Sequence, residues 1–453
     1  MMRSLSSAVS GLKTMQTEMD VIGNNMANVN TPGFKKSRVV FQDALYQAMS
    51  GGSAPGDTRG GTNPAAIGMG TGLASVDQIT TGSSNTTTNS PTDLAVDGDG
   101  YFAVKGSDGT TLYTRAGAFK YDASQRLVDA NGSLVQGWLA DNSGAIDTSV
   151  SKMTSINLAS YNMIAPKATT EMNMSGNLDA TSATNTIGSG VPAWDLASSA
   201  PSSDSSKASF SKEYYDSLGV ERQLYFRFFT SSTAATPPVT TWNCDVSTNP
   251  DFTGAITAVP APYAAGGSTV GGTLRFEGIK FTTEGKLDPT GPQNFTLKMT
   301  PTGADPITMT VDLTSLTQYD SESTADVETQ DGYSSGTLSS KSVGTDGIIT
   351  GIYDNGQKMS LARVALANFR NPSGLEQVGS NLFRVSTNSG DAKISAPGNS
   401  GAGTIMPSNL ESSNVDLSEE LTNMIVAQRG FSANSRIITV SDQMLQELVN
   451  LGK

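Results

Sequence analysis

The chain has 453 residues, 36% of them hydrophobic, which is too long for one compact core and enough for two to four domains. Only 16% of residues are charged, the net charge is −13, and the largest basic group is Lys35, Lys36 and Arg38, which reads as a solvated helix exit; this excludes a phosphate-backbone binder and with it a nucleic-acid partner. Histidine is absent and Cys244 is the only cysteine, so His-based triads, His-containing metal sites, CxxC sites and intrachain disulfides are excluded too.

The opening run MMRSLSSAVSGLKTM carries one early Arg but lacks the apolar stretch of about 7–15 residues that marks a cleavable secretory signal. No run approaches about 18 consecutive apolar residues, so no membrane insertion is expected. Leu5, Ala8, Leu12, Met15, Met19, Ile22, Met26 and Val29 follow one another at alternating spacings of three and four, the period of a coiled-coil seam. Three of them are Met, which tolerates shifting partners. Ser4, Ser6, Ser7, Ser10 and Gly11 would let a neighbour come close. The helix should stop near Asn30, because Pro32 restricts Thr31 and Gly33 supplies a turn. Asn24, Asn25 and Asn28 fall outside the seam. They read either as a frayed helix end rich in turn-formers or as amides facing other subunits, and we expect the latter.

Residues 50–75 are rich in Gly and Pro and read as a linker or extended arm. Within them, GMGTG at Gly68–Gly72 is no phosphate loop, since no Gly-Lys-Ser/Thr follows. From Val76 the pattern turns to β. DLAVDGDGYFAVKG reads as two short strands around a hairpin turn; its DGDG is not an EF-hand, because Tyr101 and Phe102 occupy positions that loop reserves for a ligand and a glycine. Hairpin turns are expected at Asn131-Gly132 and Asn355-Gly356. Residues 171–333 form a further β-rich stretch, with a hairpin in FSKEYYDSLGVERQLYFRFF, a loop in TAATPPVTTW and Cys244 in a polar loop as a semi-buried structural thiol.

The C-terminal segment opens with a helix start, Asp416 or Ser418 followed by Glu419 and Glu420 in the first turn. Those two carboxylates are helix-start residues first and acid–base candidates a distant second. Met424, Phe431, Ile438 and Leu445 recur every seven residues, and Leu417, Leu421, Val449 and Leu448 or Leu451 widen the apolar face. Gln428, Ser435 and Asp442 interrupt it. Neither terminal helix can bury its stripe alone, so the two are expected to pair, with Gln428 and Asn434 joining the three asparagines as polar contacts between subunits. Pairing of the ends nests whatever lies between. The fold class is α+β: paired terminal helices in a coiled-coil-like domain (1–32 with 412–453), an arm (33–75), a β-rich middle domain (76–170 with 334–411) and an inserted β-rich outer domain (171–333). No group of residues forms a catalytic, cofactor or metal constellation, so no enzyme is expected.

NNMANVNTPGFK resembles the N-terminal signature of the bacterial flagellar axial proteins, the rod and hook group. VDGDGYFAV, YTRAGAFKYDASQRLVDANGSLVQGW, the stretch from DGYSSGTLSSKSVGTDG to FRVSTNSG, and the tail LESSNVDLSEELTNMIVAQRGFSANSRIITVSDQMLQELVNL are similar to the same family; the 171–333 insert is similar only through MNMSGNLDA and YYDSLGVERQLYFRFF. The large insert favours the hook members over the distal rod. The resemblance implies a subunit that polymerises with itself into a curved tube around an export channel. It also implies export by the flagellar type III apparatus without a cleaved signal, growth under a hook cap, and contact with the distal rod, the hook–filament junction and the hook-length control protein. A distal rod or other axial subunit is the alternative, and a secreted β-rich adhesin or hydrolase the remote one.

Overall fold

The structure, a computed structural model, describes residues 2–56, 59–180, 208–232, 240–252, 256–259, 268–269 and 272–451. It has one helix at each end, α1 (Met2–Ala27) and α2 (Leu417–Leu451), and a mostly β middle. Helix α1 ends in turns whose amides reach back, Asn28 N–H to Asn25 O and Thr31 N–H to Asn28 O. Gly33 then takes φ +71°, with the site of a Cβ only 2.6 Å from the Ala116 amide nitrogen, so no other residue fits without displacing backbone. Helix α2 is capped by Asp416, whose Oδ1 accepts the Ser418 amide at 2.8 Å and the Glu419 amide at 3.3 Å.

The chain divides into two compact units, one of residues 1–161, 340–352 and 358–453, the other of residues 162–339 and 353–357. In the first, the segment after α1 is a two-stranded ribbon rather than an irregular linker. Strand β1 (Ser37–Asp43) pairs antiparallel with β4 (Thr71–Gln78), and β2 (Tyr46–Ser50) with β3 (Ala65–Gly68). Gly70 anchors its base on α1: at φ +115° its Cβ position lies 2.2 Å from Ser10 Oγ. β-structure therefore starts at Ser37, well before the Val76 expected from pattern.

The main sheet of this unit interleaves distant strands. Leu134–Leu139 pairs with Tyr101–Lys105 on one side and Lys358–Val364 on the other. The expected DGDG hairpin does not form. Leu94–Asp97 pairs with Thr404–Pro407 and Tyr101–Lys105 with Thr111–Thr114, because Gly98 (φ +97°) and Gly100 (φ +139°) turn the chain out of one sheet and into another. At Gly132 and Gly356, by contrast, tight turns close where Asn-Gly placed them, with φ +81° and +78°. Phe102 and Phe119 meet edge-on at 5.0 Å in the core.

The second unit holds two five-stranded sheets. Phe226, Phe228, Trp242, Phe276, Phe295 and Leu297 belong to one core cluster. Ala208–Tyr215 and Glu221–Ser232 form the expected hairpin across Asp216–Gly219. Most of TAATPPVTTW, residues 233–239, lies outside the described residues, as do the side chains of Leu448, Val449 and Leu451. Cys244 sits not in a loop but in the strand Thr240–Ser247, fully buried, and burial pushes its thiol well above the usual range.

Candidate assembly surface and helix junction

Helices α1 and α2 run antiparallel. Gly11 lies against Asn434, Met15 against Gly430 and Asn25 against Glu420, each step along α1 matched by an equal step back along α2. The contact is close because it is built on glycine: a Cβ on Gly11 would sit 2.7 Å from Asn434 Nδ2, and one on Gly430 would sit 3.0 Å from Met15 Sδ.

On α1 the expected seam is unevenly covered. Ala8 and Ile22 are buried, while Leu5, Leu12, Met15, Met19, Met26 and Val29 are half-buried. On α2 the inward face is shifted from the expected one. Met424, Ile438 and Leu445 are half-buried, but Leu421 and Phe431 are 47% and 37% exposed. The second inward stripe is Glu420, Ala427, Asn434 and Ser441; Gln428 and Asp442 face outward. Counting apolar residues missed this flank, since small and polar side chains let the helices approach and find hydrogen-bond partners there.

The asparagines separate as well. Asn25, expected to meet other subunits, is buried within its own chain. Its Oδ1 accepts the Ser37 amide at 3.0 Å, and its Nδ2 donates to Ser37 O at 2.8 Å and to Glu420 Oε2 at 3.3 Å. The side chain thus acts as a strand partner that starts β1. Asn28 Nδ2 donates to Asn24 O at 2.9 Å and its Oδ1 accepts from Thr31 Oγ1 at 3.1 Å, closing the end of α1. Asn24 and Gln428 are exposed, and Asn434 is half-buried against Gly11.

Around this junction lies a charged network that pattern reading missed. Lys35, expected in a solvated exit, has no exposed side-chain surface. Its Nζ donates to Thr81 O at 2.8 Å and pairs with Glu411 Oε1 at 2.5 Å. The other oxygen of Glu411 faces Arg115 NH1 at 3.4 Å, and Arg115 NH2 donates to Gly98 O at 2.9 Å. Burial pulls the Lys35 ammonium below its ordinary pKa, opposed by the hydrogen bond to Glu411. Next to it, Lys36 pairs with Glu419 at 2.7 Å and its pKa is raised, chiefly by that hydrogen bond. Asn414 Oδ1 accepts the Lys36 amide at 2.7 Å while its Nδ2 donates to Ile79 O. The only sequence signal was the alternation Lys35-Lys36 in an extended segment, which sends adjacent side chains to opposite faces. A cavity of about 300 Å³ opens beside the junction, lined by Glu18, Ile22, Asn25, Lys36 and Glu420; burial raises the Glu18 carboxyl pKa.

Outward, large apolar side chains are left uncovered. Leu421, Ile425, Val426, Ile437, Val440 and Met444 of α2 are 44–62% exposed. Along the ribbon, Leu45, Tyr46 and Met49 are 62–76% exposed. Among the described residues no group of three His, Cys, Asp or Glu could hold a metal ion, and no helix is long and apolar enough to cross a membrane.

A chain that returns its last helix to its first around a nested β middle, and leaves apolar surface uncovered on helix and ribbon alike, has the form of a subunit of a larger assembly. Family models agree along its length: a flagella basal body rod protein model over residues 5–35, a flagellar hook protein FlgE/F/G D1 domain over 95–176, a flagellar basal body protein FlaE D2 domain over 177–333, and a flagellar basal body rod FlgEFG protein C-terminal model over 406–451. The flagellar hook protein FlgE of Borreliella burgdorferi is 37% identical and that of Treponema pallidum 34%, each over all of both chains. The flagellar basal-body rod protein FlgG of Bacillus subtilis is 31% identical over all of this chain and 99% of its own. The crystal structure of Helicobacter pylori flagellar hook protein FlgE2 matches 72% of this chain and all of that one, with a TM-score of 0.50 at 13% identity, a likeness of fold. The chain belongs to the flagellar hook protein FlgE family, a structural family of the flagellum and not an enzyme family.

Proposed function

We propose that the chain is the structural subunit of the bacterial flagellar hook, polymerising into a flexible curved tube that passes torque from rod to filament and encloses the export channel. The observation that carries this reading is the uncovered apolar face of α2, which a solitary subunit would leave in water. In the tube that face packs on neighbouring copies, and each α1–α2 pair forms a coiled-coil-like inner segment from residues 1–32 and 412–453. Residues 33–75 reach outward to brace adjacent subunits, 76–170 with 334–411 make the middle layer, and 171–333 the outer one. Exposed Asn24 and Gln428 are the remaining candidates for polar contacts between copies. The subunit leaves the cell through the flagellar type III apparatus without a cleaved signal and is placed under a hook cap. Its partners are the distal rod, the hook–filament junction and the hook-length control protein.

The test is the double substitution Ile425→Glu and Val440→Glu. Both residues are exposed, so monomer stability should change by no more than about 0.5 kcal/mol per site. Hooks should vanish from electron micrographs of cells carrying the variant; normal hooks would end the assignment of α2 to the subunit interface. The full-length similarity to a rod protein named FlgG supports a second reading as a distal rod subunit. Purified protein that assembles into straight rather than curved tubes would favour it.

A further inference from the structure

Lys35, Arg115 and Glu411 form a nearly sealed cluster, with side-chain exposures of 0%, 4% and 1%. Two cations share one carboxylate. Among the described residues no other carboxylate comes within 4.0 Å of either cation. Arg115 Nε is buried without a partner, and the guanidinium lies over the Tyr101 ring at 5.2 Å. The order along the chain is one-sided. Glu411 follows Lys35 by 376 residues and Arg115 by 296. Its own strand, Asn409–Glu411, pairs with Asn85–Thr87; its carbonyl accepts the Gly33 amide at 2.8 Å, and its Oε1 accepts the Ser83 amide at 3.2 Å. Helix α2 starts six residues later, at Leu417.

We propose that Glu411 is a completeness latch: the first unit closes around Lys35 and Arg115 only when the segment that ends just before α2 has docked. Before that, closing the core would seal two cations away from water with no counter-charge, which burial physics strongly disfavours. A truncated or still-emerging chain cannot present the closed unit. The benefit for an exported subunit rests on the hook reading, whereas the folding claim does not.

The experiment uses full-length chains and hydrogen exchange read segment by segment, which needs no polymer. Glu411→Gln leaves two buried cations, and opening of Leu94–Asp97 and Thr404–Pro407 should become about a hundredfold more frequent or greater. Lys35→Met leaves the balanced Arg115–Glu411 pair and should raise opening by about tenfold or less. The neutral triple variant Lys35→Met, Arg115→Met, Glu411→Met should return opening to within about tenfold of the parent. Strand Glu221–Ser232 of the second unit, unchanged throughout, reports that the rest is folded. In refolding with pulsed labelling, Leu134–Leu139 and Thr404–Glu411 should become protected in the same phase. The proposal is overturned if Glu411→Gln opens no more than Lys35→Met, if the neutral triple is as open as Glu411→Gln, or if Leu134–Leu139 is protected before Thr404–Glu411.

Discussion

Each unit buries two cations around one carboxylate, and the two clusters are assembled in opposite ways. In the second unit Arg227, Asp245 and Arg275 stand on three neighbouring strands in direct register, Arg227 opposite Asp245 and Asp245 opposite Arg275. The partners are only 18 and 30 residues apart, and each guanidinium lies over a phenylalanine ring, Phe252 at 4.2 Å and Phe229 at 4.7 Å. In the first unit the partners are 376 and 296 residues apart and sit on segments from both ends of the chain. The chemistry is shared, but the loop that closes to make it is not. Local clusters form with the hairpins that carry them, whereas distant ones wait for the chain to return. The second unit can therefore fold from its own strands, while the first unit and the helices it holds depend on residues near the C-terminus.

The sharpest test of that contrast is Asp245→Asn. It strands Arg227 and Arg275, both buried, and should cost the second unit about 3–5 kcal/mol. Denaturant unfolding followed at Trp242, which lies in the same core cluster, should shift to lower concentration, with hydrogen exchange at Leu94–Asp97 unaltered. Loss of protection in both units together would break the claim that the second cluster is local.

Much of this architecture was legible because it rests on periodicity and turn chemistry. The α1 stripe, the Asp416 helix start and the Asn-Gly turns follow from spacings that admit few alternatives. The DGDG corner was misread because two adjacent strands with a Gly-rich link fit a hairpin and a sheet-to-sheet crossing equally well; only the distant strand Thr404–Pro407 decides between them. Lys35 and Glu411 were invisible for the same reason. A buried ion pair leaves no local mark when its halves are hundreds of residues apart. On α2, pattern found the helix and a half-buried stripe at Met424, Ile438 and Leu445 but not the second inward stripe of Glu420, Ala427, Asn434 and Ser441, whose members are small or polar.

Asn25 and Asn24 offer a smaller test, within one turn of helix. Asn25→Ala removes two hydrogen bonds to Ser37 and leaves the start of β1 and Glu420 short of a partner, for a cost of about 1–3 kcal/mol in thermal unfolding of the monomer. Asn24→Ala touches an exposed amide and should change the same measurement by less than about 0.5 kcal/mol. Equal effects would mean that Asn25 does not serve the chain's own fold, and that adjacent amides are not divided between inside and outside.

The gentlest probe is acid, through Asp331 of the second unit. Burial alone would raise its pKa, but the Thr170 hydroxyl, the amides of Thr170 and Glu171 and the Lys167 ammonium all favour the carboxylate and bring it down to about 2. A carboxylate whose folded pKa lies below its unfolded one stabilises the fold above the unfolded value, and that contribution fades as pH falls toward the folded value. Its stabilisation is then complete near pH 5 and drains away from the ordinary 3.8 down to about 2. Asp331→Asn should flatten this portion of the stability curve for the second unit and leave the first unit's acid response as it was. An unchanged slope between those pH values would show that the four donors around Asp331 hold the strand start at Glu171 without favouring its charge.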